Sequence, residues 1–116
     1  MQTDRMLAVA AGGVAGALIR WGLLEAVGTT DFPIATLVAN LAACFVLGIV
    51  VAQGRRDLLG VALATGFCGG LSTMSTFALE VAVFLDTSRP LLLVSYLVAS
   101  LAGGALALQL GRRVVA

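Results

Sequence analysis

The sequence predicts an all-α integral membrane protein: four transmembrane helices with a break in the third. Three observations carry this. Of 116 residues, 60% are hydrophobic and 11% charged, and the mean hydropathy is +1.08. A soluble domain of that size has too little interior to hide so much apolar surface, so lipid must cover it. The apolar chain also divides into four runs, each near the ~20 residues a helix needs to cross a ~30 Å hydrocarbon core. Finally, the third run, around GFCGGLSTMSTF (66–77), is interrupted by Gly69-Gly70 and the hydroxyls of Ser72, Thr73, Ser75 and Thr76.

The first span runs roughly over 6–27 and is interrupted by Arg20 and Glu25. Its Gly12 and Gly16 make a GxxxG spacing, which lets helix backbones approach closely. The opening MQTDRMLAVAAGGVAGALIR shares the layout of a secretory signal. The apolar WGLL directly after Arg20 favours a retained span instead. The second span, 34–52, has Thr36 and Asn40 as its only polar members. The third, 58–85, would measure ~42 Å as one straight helix, more than the bilayer core requires. The fourth, 91–110, contains Ser95, Tyr96 and Ser100. Breaks fall at GTTDFP, QGRRD and DTSRP, and Pro33 and Pro90 stand where helices can start. Loops this short make consecutive helices antiparallel neighbours. No repeat or second domain is visible, so 1–116 reads as one four-helix transmembrane domain.

Composition also excludes functions. There is no His, which removes imidazole catalysis and His-ligated metal sites. Cys44 and Cys68 each lie in an apolar segment and read as small buried hydrophobes rather than a disulfide. A net charge of +1, with seven Arg, no Lys and no basic run longer than two, gives no sign of a nucleic-acid partner.

A broken backbone at membrane depth is tolerated only where protein or a watery cavity satisfies the released amides and carbonyls. Channels and transporters use such breaks to aim carbonyls and helix ends at ions. The alternative is a Gly-rich helix whose hydroxyls bond back to their own backbone. Asn40 serves equally as interhelical glue or as an NH2 donor to an anion. Arg20 and Glu80 either face a cavity or snorkel to the headgroups. Tyr96 and Ser100, four apart, share a helix face. No acidic residue sits at a span's centre, so anion passage fits better than cation exchange by a carboxylate.

These pieces carry a resemblance: GALIRW with Arg20, TLVAN with Thr36 and Asn40, GFCGGLSTMSTF followed by Glu80, and Tyr96 with Ser100. Along nearly its whole length the chain resembles the Fluc (CrcB) family of bacterial fluoride channels. The resemblance implies an antiparallel, inverted dimer in the bacterial inner (plasma) membrane, giving passive fluoride efflux and hence fluoride resistance. Two fluoride pores would run at the dimer interface, built from Asn40, Met74, Ser75, Thr76, Phe77, Tyr96 and Ser100. Arg20, Thr36 and Glu80 would line a vestibule or interface. Backbone carbonyls of Gly69 and Ser72 from both subunits would hold a structural Na+ on the dimer axis.

Two features depart from the family's pattern. Met74 replaces the first of two phenylalanines, losing an electropositive ring edge, and Gly104 stands where a hydroxyl is frequent. Arginines are also unevenly placed. Arg5, Arg55, Arg56, Arg112 and Arg113 share one side, against Arg89 and the borderline Arg20 on the other. The positive-inside rule then puts both termini in the cytoplasm. Such a bias, with Met74, points to a heterodimer with a related inverted chain, the homodimer being the competitor. A non-conducting subunit is a further alternative. A small multidrug transporter fits poorly, since the only acid in the first span is Glu25, near its end.

Overall fold

Lipid offers a backbone no hydrogen-bond partner, so an apolar chain inside it must satisfy its own amides and carbonyls, which a helix does. The fold is that of a computed structural model, which describes residues 2–28 and 32–115. Thr29, Thr30 and Asp31 of the first break lie outside the described residues. In order come α1 (Gln2–Val27), α2 (Ile34–Gln53), α3 (Leu58–Val61), a π-helical turn (Ala62–Phe67), α4 (Cys68–Leu71), α5 (Met74–Asp86) and α6 (Pro90–Val114). Among the described residues, four helical runs are long and apolar enough to cross a membrane, the third being Leu58–Asp86. The long dimension of 50 Å exceeds the ~40–45 Å of a bilayer with its headgroups. The chain is a multi-pass membrane protein of four helices with a bend in the third.

Local chemistry sets the ends. Pro90 occupies the first turn of α6, as its missing amide allows, whereas Pro33 is the residue just before α2. Gly54, left-handed at φ 62°, closes α2. Asp57 starts α3 by accepting the Gly60 amide at 3.0 Å, and its carboxylate also holds Arg55 at 3.1 Å.

Glycine contacts place the helices. A Cβ on Gly12 would run into the Ala62 carbonyl and one on Gly16 into the Phe67 carbonyl. From the other side, a Cβ on Gly70 would strike the Gly13 carbonyl. The first span therefore lies backbone to backbone on the π turn and α4. Gly48 and Gly111 bring α2 and α6 together in the same way. A small core remains between them: Ala39, Ala43, Cys68 and Leu71 are buried, flanked by Leu23, Val46, Leu47 and Phe67. Much of the outer surface is apolar, including Leu7, Val14, Leu18 and Trp21 of α1 and Leu91, Val98 and Leu101 of α6. Such faces call for lipid or another chain to cover them.

The third span departs from a simple interruption at Gly69-Gly70. Those glycines stay helical in α4, and the chain extends only at Ser72 (φ −76°, ψ 158°) and Thr73 (φ −149°, ψ 121°). The physical reason is the neighbour. Gly70 is needed for contact with Gly13, while Thr73 is a good cap and starts α5 by accepting the Thr76 amide at 3.2 Å. The π turn, one residue wider per hydrogen bond, had no signal in the hydrophobic pattern.

Candidate functional site

The break rearranges four backbone groups, and polar side chains from two other helices take up two of them. In a continuous helix the Thr73 amide would bond the Gly69 carbonyl; instead it donates to Asn40 Oδ1 at 2.8 Å. Asn40 Nδ2 returns a long bond to the Thr73 carbonyl at 3.4 Å. The Thr76 amide would likewise reach the Ser72 carbonyl, but it goes to Thr73 Oγ1. The Ser72 carbonyl accepts from Arg20 Nη1 at 3.1 Å instead. The carbonyls of Gly69 and Ser72 are thus both released from the helix. Ser72 Oγ bonds back to the Cys68 carbonyl at 2.8 Å, as the plain Gly-rich-helix pattern expects.

One nitrogen of the Arg20 guanidinium is thus turned onto the break. Asn40 is glue, yet an NH2 has two hydrogens, and among the described residues only one has a partner, the weakly held Thr73 carbonyl.

Beside the break lies a surface cleft of about 250 Å³. Asn40, Ser72, Met74, Phe77 and Ser100 line it, together with Thr73 and Cys44. Met74 stands 76% exposed at this cleft. The N-terminus of α5 opens there, so the positive end of that helix favours an anion. Below the cleft, the Phe77 ring meets Tyr96 with centroids 5.1 Å apart. Tyr96 has no exposed surface, and Phe32 and Phe84 pack edge-on against it at 5.6 and 5.9 Å. Its hydroxyl donates to Glu80 Oε1 at 2.8 Å, and Thr36 donates to Oε2 at 3.2 Å. Glu80 and Thr36 in turn line a second cavity of about 170 Å³ with Leu24, Gly28 and Pro33.

The structure thus gathers Asn40, Met74, Phe77 and Ser100 on one wall, and Thr36, Glu80 and Tyr96 in a second cluster joined to it through the Phe77–Tyr96 contact. Ser75 is exposed, its hydroxyl 3.3 Å from Thr73 Oγ1. Thr76 Oγ1 accepts from Thr73 Oγ1 at 3.2 Å. Neither is among the residues lining the cleft. Gly69 is exposed, with open space where a Cβ would stand. Sequence reasoning passed over the part played by Thr73, whose signal was a threonine just ahead of the resumed apolar run. It also missed that Cys44, one turn from Asn40, shares its face. The Cys44 sulfur lies 3.4 Å from the position a Cβ on Gly104 would take, so α2 and α6 are close at this level.

A family profile described as "CrcB-like protein, Camphor Resistance (CrcB)" matches residues 7–112. The chain is 42% identical over 109 residues to the "Fluoride-specific ion channel FluC 2" of Rhodococcus jostii, covering 93% of this chain and 96% of that one. It is 36% identical over 109 residues to "Fluoride-specific ion channel FluC 1" of Halobacterium salinarum, covering 93% and 91%. To "Fluoride-specific ion channel FluC 2" of Bacillus subtilis it is 43% identical over 101 residues, covering 84% and 76%. A four-span architecture with its third helix broken against an asparagine and an arginine, together with these near full-length matches, establishes that the chain belongs to the CrcB-like family.

Proposed function

We propose that this protein is a passive fluoride channel rather than an enzyme, acting in fluoride efflux and resistance at the bacterial inner membrane. The observation that carries the reading is the cleft at the break, where the NH2 of Asn40, a helix N-terminus, the Ser100 hydroxyl and the Phe77 ring meet. Fluoride is small and strongly hydrated, so a pore must replace its water with donors. Amide and hydroxyl hydrogens do so, and the positive rim of a phenyl ring adds to them. Ser75 and Thr76 extend the hydroxyl set, while Tyr96, whose one hydrogen goes to Glu80, backs the Phe77 ring, with Thr36 and Glu80 at the far cavity. The names of the curated relatives support fluoride as the ion.

The conducting unit is an inverted dimer with two pores along its seam. What supports this is the open state of the cleft in one chain: Met74 is largely exposed, and apolar faces of α1 and α6 lack cover. The carbonyls of Gly69 and Ser72 fit a structural sodium ion, since hard cations prefer oxygen ligands and both carbonyls have left the helix. Bound there, sodium would neutralise carbonyl dipoles gathered from two chains. The arginine bias and Met74 favour a second reading, a heterodimer in which a related chain of opposite bias supplies the inverted subunit.

The test is fluoride efflux from liposomes containing this chain alone, with chloride as control. Fluoride-selective release is expected for a homodimer, and its recovery only on co-expression with a second family chain would select the heterodimer. No anion release in either case would overturn the channel reading. Within a conducting assembly, Phe77→Ala should slow fluoride by about tenfold, the scale of one lost aromatic interaction, while size-exclusion profiles stay unchanged. Wild-type flux would remove Phe77 from the pathway.

A further inference from the structure

Arg20 and Asn40 grip opposite ends of one peptide unit. The carbonyl of Ser72 and the amide of Thr73 belong to the same rigid plane, and in a trans peptide they point in opposite directions. Asn40 Oδ1 takes the amide at 2.8 Å, and Arg20 Nη1 takes the carbonyl at 3.1 Å. The Asn40 bond alone orients the Ser72 oxygen, because the plane turns as a unit. The geometric contribution of Arg20 is therefore redundant, and its charge is not. A guanidinium carries a delocalised positive charge.

We infer that the charge of Arg20 weakens and thereby tunes cation binding at the Ser72 carbonyl. The inference rests on the sodium reading proposed above. A carbonyl oxygen has two lone pairs, so one remains for a cation when Arg20 occupies the other. Both positive groups then address one oxygen, and their repulsion is felt strongly because little water screens it at membrane depth. The same peptide would link the two ions: its amide end is held by the asparagine of the anion cleft, and its carbonyl end would be a ligand for the cation.

The experiment measures thermal unfolding of the full-length chain in detergent over a sodium chloride titration, with N-methyl-D-glucamine chloride holding ionic strength constant. The wild type should show sodium-dependent protection with a defined midpoint. Arg20→Gln, which removes the charge, should move that midpoint to a sodium concentration about tenfold lower. Arg20→Lys, which keeps the charge, should stay within about twofold of wild type. Should Arg20→Gln fail to assemble, the neutral, apolar Arg20→Met serves as the uncharged variant. An unchanged or higher midpoint in the uncharged variant overturns the tuning role. Equal shifts for Gln and Lys also overturn it, because geometry rather than charge would then set the affinity. No sodium-specific protection in the wild type would overturn the sodium reading itself, and this inference with it.

Discussion

Asn40→Asp should keep the break anchored, melt somewhat below the wild type because its second oxygen faces the Thr73 carbonyl, and pass almost no fluoride. The substitution keeps an oxygen where Oδ1 now accepts the Thr73 amide at 2.8 Å, so the break retains its anchor. It removes both NH2 hydrogens and offers a negative charge to an approaching anion. A like charge a few ångströms away costs about 3 kcal/mol at the effective dielectric of a partly buried site, or roughly a hundredfold in flux. Asn40→Ala should also conduct poorly, but for a mixed reason. It leaves the Thr73 amide unpaired, at about 1–3 kcal/mol, so thermal stability should fall with flux. Efflux recorded by a fluoride electrode, beside melting curves for both variants, separates clamp from donor. An Asp variant that conducts at the wild-type rate would make Asn40 a clamp alone.

The second large effect concerns packing. Gly12→Ala should destabilise the protein by about 1–3 kcal/mol or more, the usual scale of an overpacked interface. The added methyl meets the Ala62 carbonyl and the Phe67 amide, which are backbone and cannot rotate aside. Gly16→Ala should behave alike, against the Phe67 carbonyl and the Leu71 amide. Because these contacts fix where the π turn and α4 lie, both variants should also disturb the Arg20–Ser72 bond. Gly22→Ala is the control, with nothing within 4 Å of its added carbon. It should be neutral or stabilising by up to about 1 kcal/mol, since alanine is the better helix former. Melting midpoints in detergent check the series; equal midpoints for Gly12→Ala and Gly22→Ala would refute close backbone packing.

The same glycines mark where sequence reading stops. The spacing of Gly12 and Gly16 indicated close packing, because small residues on one face permit it whatever the partner. It did not say that the partner is the π turn and α4, since the spacing names only one side of a contact. The break in the third span was legible from glycines and hydroxyls crowded into an apolar run. Its position was not. Thr73 and Gly70 compete for local geometry, and contact with α1 decides between them.

Arg20 and Asn40 show the same division most sharply. As polar residues in lipid-spanning segments they were certain to need partners, because an apolar solvent offers none. Sequence alone determined that the chain lives in a membrane, crosses it four times and carries polar groups along one broken helix, since burial in lipid is written in composition and length. Only the tertiary structure decided that these two side chains hold the two ends of the Ser72–Thr73 peptide. Pairing across 52 and 33 residues depends on how helices pack, and hydrophobic periodicity, which depends on near neighbours alone, does not encode it.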